Sequence, residues 1–314
     1  MYYIGIDIGG MTIKGGIVDE DGKIYIKDAV ETKPERNYPE IVKDIADLCD
    51  KLCRDSGIKR SSINSIGMGI PGTINGDTGV ITYANNINFE KVPIVKEFGK
   101  YYRIPVFIGN DANCAALGEV TFGENKGYKD AILITLGTGV GSGIIVDGRM
   151  LVGKNGAGAE GGHIGLKIGG ELCSCGRRGC WEAYASATAL IKMCQKAMDK
   201  HPESLMHQVA AEEGKISGKT AFVAMEQGDK TAASVVRAYT KNVAEGLVSL
   251  VNIFRPEVIY IGGGISNVGA PFFEKLQRYV SRYSYGGSRN PKVKILKASL
   301  KNDAGILGAA ALCL

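Results

Sequence analysis

The pattern of residues 2–24 returns near residue 131, and that return confines the chain to a narrow class of folds. YYIGIDIGGMTIKGGIVDEDGKI reads as an apolar strand, a glycine-containing turn, a second strand and a tight Asp-Gly turn, which is a β-hairpin with a glycine tip. AILITLGTGVGSGIIVDGRM runs in the same order, with Gly9 matching Gly137 and Val18-Asp19 matching Val146-Asp147 within a one-residue shift. A repeat at this separation predicts two similar α/β halves, each opening on a hairpin, with a cleft between them. The length of 314 residues suits two domains of ordinary size. A third glycine cluster, Gly262-Gly263-Gly264, follows the strand Val258 to Ile261 and is either a strand end where a ligand docks or a simple turn.

At the first tip Asp7 closes the strand, and Gly9, Gly10, Thr12 and Lys14 follow. Bare backbone N–H groups, a hydroxyl and an ammonium can surround a phosphate there while Asp7 holds a hydrated Mg²⁺. An edge hairpin with no ligand accounts for the same residues. The chain contains no GxxxxGK[ST] sequence, so a P-loop is excluded.

The stretch EGGHIGLKIGGELCSCGRRGCWE, residues 160–182, gathers three of the eight cysteines and one of the three histidines into a glycine-rich loop. His163, Cys173, Cys175 and Cys180 form a His-x9-Cys-x-Cys-x4-Cys set, and three thiolates with one imidazole fill a closed tetrahedral zinc shell. A closed shell leaves no position for a metal-bound water, so the zinc is expected to be structural. Its effect is to hold one nitrogen of His163 and orient the other, with Glu160 and Glu182 fixed nearby. Two solvated glutamates are the plain alternative. Cys49, Cys53, Cys114, Cys194 and Cys313 are scattered on helix faces, as reduced core cysteines are in a reducing compartment.

Elsewhere, Pro39 to Ser56 carries Ile41, Ile45, Leu48, Leu52 and Cys53 at helical spacing, and helices are expected at 182–199, 231–254 and 271–284. The strand Ser65 to Ile70 runs into Pro71-Gly72-Thr73, and Tyr83 to Asn88, with Asn85 and Asn86, reads as a polar loop. Pro105 to Ile108 is a short strand delivering Asn110-Asp111 to the start of a helix, where an Asp serves either as a cap or in chemistry. Ala304 to Leu314 is an Ala-rich helix expected to pack back on the first domain. The domains are drawn at 1–109 plus 301–314 and at 110–300. No apolar run approaches a membrane span and no secretory leader is read, which points to the cytoplasm. The 38 basic and 33 acidic residues are interspersed, so nucleic acid is not an expected partner.

DIGGMTIK, GND, TLGTGVGSGI, EGGH with CSCGRRGCWE, and GGG together resemble the ROK family of sugar kinases and repressors, within the actin/hexokinase-like ATPase superfamily. The resemblance implies two RNase-H-like α/β domains flanking a nucleotide and sugar cleft, with a zinc-binding loop. It implies that Asn110, Glu160, His163 and Glu182 bind sugar hydroxyls, joined by Gly72 and the Asn85-Asn86 loop. It also implies that Asp111 is the catalytic base, that Asp7 lies near Mg²⁺, and that Gly137, Thr138, Gly139, Gly141 and Gly262 to Gly264 meet ATP. Phosphorylation of the 6-hydroxyl of a hexose follows, with glucose first because CSCGRRGCWEAYASATAL resembles bacterial glucokinases. Fructose, mannose, N-acetylglucosamine and N-acetylmannosamine kinases share most of these motifs. Repressors of the family carry a helix-turn-helix before the first hairpin, where here Tyr2 opens the strand, so an enzyme is expected over a sugar-sensing repressor. A homodimer is the usual assembly. Met11 departs from the family pattern, which has Thr directly after the paired glycines.

Overall fold

The computed structural model describes residues 1–314, the side chain of Asn85 excepted. In chain order the elements are β1 (Tyr2–Ile8), β2 (Thr12–Asp19), β3 (Ile24–Glu31), α1 (Tyr38–Ser56), β4 (Ile63–Ile70), β5 (Thr73–Asn75), β6 (Val80–Ala84), β7 (Phe89–Val92), α2 (Ile94–Phe98), β8 (Val106–Asn110) and α3 (Asp111–Phe122). There follow β9 (Ala131–Leu136), β10 (Val140–Val146), β11 (Arg149–Met150), α4 (Glu182–Ala185), α5 (Ala187–Met198), α6 (Met206–Glu212), α7 (Thr220–Glu226), α8 (Lys230–Phe254), β12 (Val258–Gly262), α9 (Ala270–Tyr283), β13 (Lys294–Lys297) and α10 (Ala304–Ala311).

The chain divides into two compact units, one of Met1–Lys129, Gly143–Ala159 and Ser299–Leu314 and one of Asp130–Ser142 and Glu160–Ala298. The first sheet has the order β3-β2-β1-β4-β8 and the second the order β11-β10-β9-β12-β13. Each is one hairpin strand, its two antiparallel successors on one side and two later strands on the other. In both sheets the later strands run parallel to the first: β1 with β4 and β4 with β8, and β9 with β12 and β12 with β13. The repeat seen in the sequence is thus a repeat of topology, and it extends to elements that share no visible motif.

In the first unit, α1 begins where the Asn37 side chain accepts from the Glu40 N–H at 3.2 Å and stops at Gly57, whose φ of 72° lies in the left-handed region. Its expected apolar stripe, Ile41, Ile45, Leu48, Leu52 and Cys53, is buried with Val42, Ala46 and Cys49 and lies over β2 and β3. The opposite face of the sheet is closed by α10, which packs on β1, β4 and α3. That seat demands glycine on both sides: a Cβ on Gly67 would collide with the Ala309 carbonyl, and one on Gly308 with the Cys114 carbonyl.

This packing puts the division of the chain elsewhere than at 109/110. Helix α3 contacts α10, which carries residues 110–129 into the first unit. Residues 143–159 follow, because Gly143 lies against Ala112 and Ala116 of α3 and Gly156 against Ile74 of β5. Two further elements differ from expectation. The segment read as a polar loop is flanked by β6 and β7 of a small β5-β6-β7 sheet, in which Ile81, Ala84, Phe89 and Val92 point inward while Thr82, Tyr83, Glu90 and Lys91 are exposed. Short strands with two outward residues in the middle lack the period-two alternation by which strands are recognised. The helix expected at 182–199 breaks at Ser186, whose side chain accepts from the Ala189 N–H at 3.1 Å and caps α5. Among the described residues no helix is long and apolar enough to cross a membrane.

Candidate active site

In the first unit the expected site residues collect at the carboxyl ends of parallel strands, where open α/β sheets expose unpaired backbone to a ligand. The register aligns Lys14 of β2 with Asp7 of β1, Asp7 with Gly69 of β4, and Gly69 with Gly109 of β8. Asn110 and Asp111 come next along the chain and so sit just beyond that row. The Lys14 ammonium is 3.8 Å from Oδ2 of Asp7. Burial raises the pKa of Asp7, Lys14 opposes the shift, and the Asp111 carboxylate adds to it. Two carboxylates that feel each other this way provide a place for a cation, and Asp7 is the residue that would hold Mg²⁺.

Asn110, not Asp111, caps α3. Its Oδ1 accepts from the N–H groups of Ala112 (3.0 Å) and Asn113 (3.2 Å), and its Nδ2 donates to the Gly72 carbonyl at 3.1 Å. Gly72 has φ of 105°, and a Cβ there would collide with the Tyr83 carbonyl, so its carbonyl can turn toward Asn110 only because it is glycine. With the cap supplied by its neighbour, Asp111 keeps a carboxylate that accepts from the Ala112 N–H at 2.9 Å and is otherwise desolvated by the protein around it. The protein around it disfavours the charged form and raises its pKa above the ordinary carboxylate value.

The first glycine tip is held by Gly9 N–H to Thr12 carbonyl (3.0 Å), by Thr32 N–H to the Met11 carbonyl (3.0 Å) and by the Thr32 hydroxyl to the Gly9 carbonyl (2.6 Å). Met11 projects into solvent, 84% exposed, while Thr12 stays half-buried at the start of β2. The Asn86 carbonyl lies over Gly10, which joins this loop to the first glycine tip. The Asn85 side chain is outside the described residues.

In the second unit the four expected ligands converge, their donor atoms all within 4.8 Å of one another. Tetrahedral zinc with Zn–S of about 2.3 Å and Zn–N of about 2.0–2.1 Å requires S···S edges of roughly 3.8 Å and S···N edges of roughly 3.6 Å. The Cys175–Cys180 sulfurs are 3.7 Å apart, and Cys173 Sγ is 3.6 Å from His163 Nδ1. The residues therefore fit zinc in both chemistry and size, with His163 Nδ1 on the side of the cysteine sulfurs as the nitrogen that would bind it. Backbone bonds from Cys173 N–H to Arg177 carbonyl (2.9 Å) and Gly176 N–H to Cys173 carbonyl (3.0 Å) shape the turn between the cysteines. The loop leaves through Trp181, which is fully buried and donates from Nε1 to the Asn242 carbonyl of α8 at 2.9 Å.

The loop that carries these four residues is docked on the second glycine hairpin. Gly161 N–H donates to the Ser142 hydroxyl at 2.7 Å, and the Val140 N–H donates to Glu182 Oε2 at 2.9 Å. Glu182 Oε1 accepts from the Ser174 hydroxyl at 2.8 Å and lies 3.4 Å from Cys173 Sγ. Expected as a sugar ligand, Glu182 thus has both oxygens engaged within its own unit, whereas Glu160 is exposed and His163 half-exposed. The tip itself, Gly137 to Gly139, is pinned to α5 by Ala187 N–H to Gly137 carbonyl and Thr188 hydroxyl to Thr138 carbonyl, both 2.8 Å, and Gly141 follows it on β10. Gly262 pairs with Thr135, so the GGG cluster and this tip emerge side by side from β12 and β9. Thr32, Ser142, Ser174 and Thr188 were not singled out from sequence. Lone hydroxyls carry no pattern, although Ser174, set between two ligand cysteines, stood in plain view.

The ROK family model matches residues 3–314. A glucokinase of Thermotoga maritima is 35% identical over 313 residues, which cover 98% of this chain and 96% of the relative. A xylose repressor of Caldicellulosiruptor bescii is 30% identical over 311 residues, 98% of this chain and 77% of the repressor. Among solved structures, a ROK family glucokinase from Streptomyces griseus in complex with glucose and AMPPNP superposes with a TM-score of 0.81 at 34% identity, covering 99% of each chain.

Proposed function

The chain belongs to the ROK family, and we propose that it is an ATP-dependent hexose kinase of that family which phosphorylates the 6-hydroxyl of glucose to give glucose 6-phosphate. The observation that carries the reading is the division of labour at the start of α3: Asn110 takes the cap and leaves the Asp111 carboxylate open beside Asp7.

Asp111 would accept the proton of the 6-hydroxyl as its oxygen bonds to the γ-phosphorus and the bond from that phosphorus to the bridging oxygen breaks, releasing ADP. A raised pKa makes that carboxylate a somewhat better base without asking it to be a strong one, because phosphoryl transfer depends chiefly on positioning and charge neutralisation. Lys14 and the backbone of the first tip at Gly10 supply positive potential to the phosphates, and Gly137 to Gly139 with Gly262 to Gly264 receive the nucleotide. Mg²⁺, when bound near Asp7, neutralises charge on the transferred group. Glu160, His163 and Glu182, on the loop of the second unit, would read hydroxyls of the sugar. The glucokinase relative and the glucose-bound neighbour support glucose as the hexose.

Initial rates of ADP release with ATP and a panel of glucose, mannose, fructose, N-acetylglucosamine, N-acetylmannosamine and 2-deoxyglucose test the proposal. Glucose is expected to have the highest kcat/KM, with 2-deoxyglucose lower because it leaves buried polar groups unpaired. A higher kcat/KM on another sugar would reassign the substrate. The similarity to a xylose repressor favours one second reading, a sugar-responsive DNA-binding protein. Sugar-dependent retardation of DNA in a gel, without ADP release on any sugar, would establish it instead.

A further inference from the structure

Glu182 stands at a junction. One carboxylate oxygen receives the Val140 N–H at 2.9 Å, where β10 leaves the glycine tip, and the other receives the hydroxyl of Ser174 at 2.8 Å, from the turn between Cys173 and Cys175. The carboxylate lies so close over Gly139 that a Cβ there would collide with Oε2. The main-chain bond Gly137 N–H to Gly139 carbonyl at 3.1 Å closes the tip on itself, so moving Glu182 moves the N–H groups that line the tip.

Ser174 is exposed and supplies no metal ligand, and Trp181, next to Glu182, is locked in the core. Glu182 therefore arrives at the tip with its backbone already fixed, and its carboxylate is aimed by the Val140 N–H of the tip on one oxygen and, on the other, by the Ser174 hydroxyl, with Cys173 Sγ at the longer distance of 3.4 Å. Charge-assisted bonds of this kind hold direction as well as energy. We infer that Ser174 and Glu182 are positioning residues that carry the geometry of the zinc-pinned loop into the glycine tip, so that an intact loop sets the affinity for nucleotide as well as for sugar. The inference rests on the kinase reading, which supplies the nucleotide at that tip. It assigns Ser174 a part in the reaction, and it gives Glu182 a task that is complete before any sugar arrives.

The test is calorimetric titration of the zinc-loaded, full-length protein with MgADP in the absence of sugar, on the wild type, Ser174→Ala, Ser174→Thr, Glu182→Gln and the Ser174→Ala/Glu182→Gln double variant. Ser174→Ala is expected to weaken MgADP about three- to tenfold, as losing a hydrogen bond to a charged group does when part of its effect is transmitted. Bound zinc and the melting temperature should stay at wild-type values, and Ser174→Thr, which keeps the hydroxyl, should restore affinity. Glu182→Gln should weaken MgADP as well, and the double variant should lose no more than the larger single loss, because the two act through one tie. Unchanged MgADP affinity in Ser174→Ala would overturn the inference. So would loss of zinc in that variant, which would assign Ser174 to holding the metal site. A wild type that binds no MgADP would instead defeat the kinase reading itself, so the two failures are distinct.

Discussion

Asp111 is the first residue of α3, and its side chain is left over from the work of starting that helix because Asn110 does it. A carboxylate kept in this position has a cost: the folded protein raises its pKa, so the ionised form is less comfortable in the native state than in the unfolded chain. For a group whose folded pKa is raised, the stabilising contribution is present below the unfolded pKa, about 3.9 for Asp, and is lost as pH rises through the folded value. Asp111→Asn retains the acceptor for the Ala112 N–H and removes the charge. Turnover is expected to fall ~10²–10⁴-fold, while the melting temperature at pH 7 rises above that of the wild type and the gain closes as pH falls toward about 4. Initial rates and thermal melts across pH check both halves. A mutant keeping more than a tenth of the turnover, or a gain that persists at low pH, would remove Asp111 from the role.

The loop that carries the four candidate zinc ligands has little regular structure of its own. Residues 164–180 have no helix, and their internal order comes from short turns and two isolated bridges, Gly165 with Cys180 and Leu172 with Arg178. Without metal, such a segment keeps few apolar contacts with which to hold itself. Cys175 is the exposed member of the set, so Cys175→Ser changes little packing while removing a ligand. The variant is expected to lose bound zinc and to raise KM for glucose by about ten- to a hundredfold, as lost metal-site geometry commonly does, while far-UV circular dichroism stays near wild type. Metal analysis and rate measurements decide the matter. Full activity after exhaustive chelation of the wild type would show that the loop does not need the ion.

Across the whole molecule, the same strand order is used in two sheets, yet only the first hairpin brings charge to its row. Gly9 corresponds to Gly137, so Asp7 corresponds to Thr135, and each stands opposite a glycine, Gly69 and Gly262. The carboxylates proposed for chemistry thus belong to one repeat and the metal loop to the other. Both chain ends lie in the first unit, whose sheet is closed only when residues 304–311 arrive, after the second unit has been synthesised. Pairings so distant in sequence carry a large loop-closure cost and form slowly. The seat is also tight. Gly67→Ala would drive a methyl group into the Ala309 carbonyl, and urea unfolding should show a loss of about 1–3 kcal/mol or more, the usual penalty for overpacking. A loss below about half a kcal/mol would mean that α10 can shift away freely.

What the sequence alone determined was what short stretches can decide. Four residues of metal-ligating type within 163–180 mark a candidate metal site by type and spacing, and 3.6-residue periodicity with Asn37 and Gly57 at its ends specifies α1, whatever the rest of the chain does. The repeat of hairpin and glycine tip was legible for the same reason, since turn chemistry is local. The tertiary structure decided the matters that depend on which distant groups meet. Glu182 reaches Val140 across 42 residues, the Asn110 side chain that caps α3 is also tied to Gly72 across 38, and α10 draws α3 into the first unit. Hydrogen bonds and packing at that separation leave no periodicity and no spacing rule behind them, because any residue of the right shape and polarity can supply the partner once the fold has brought it there.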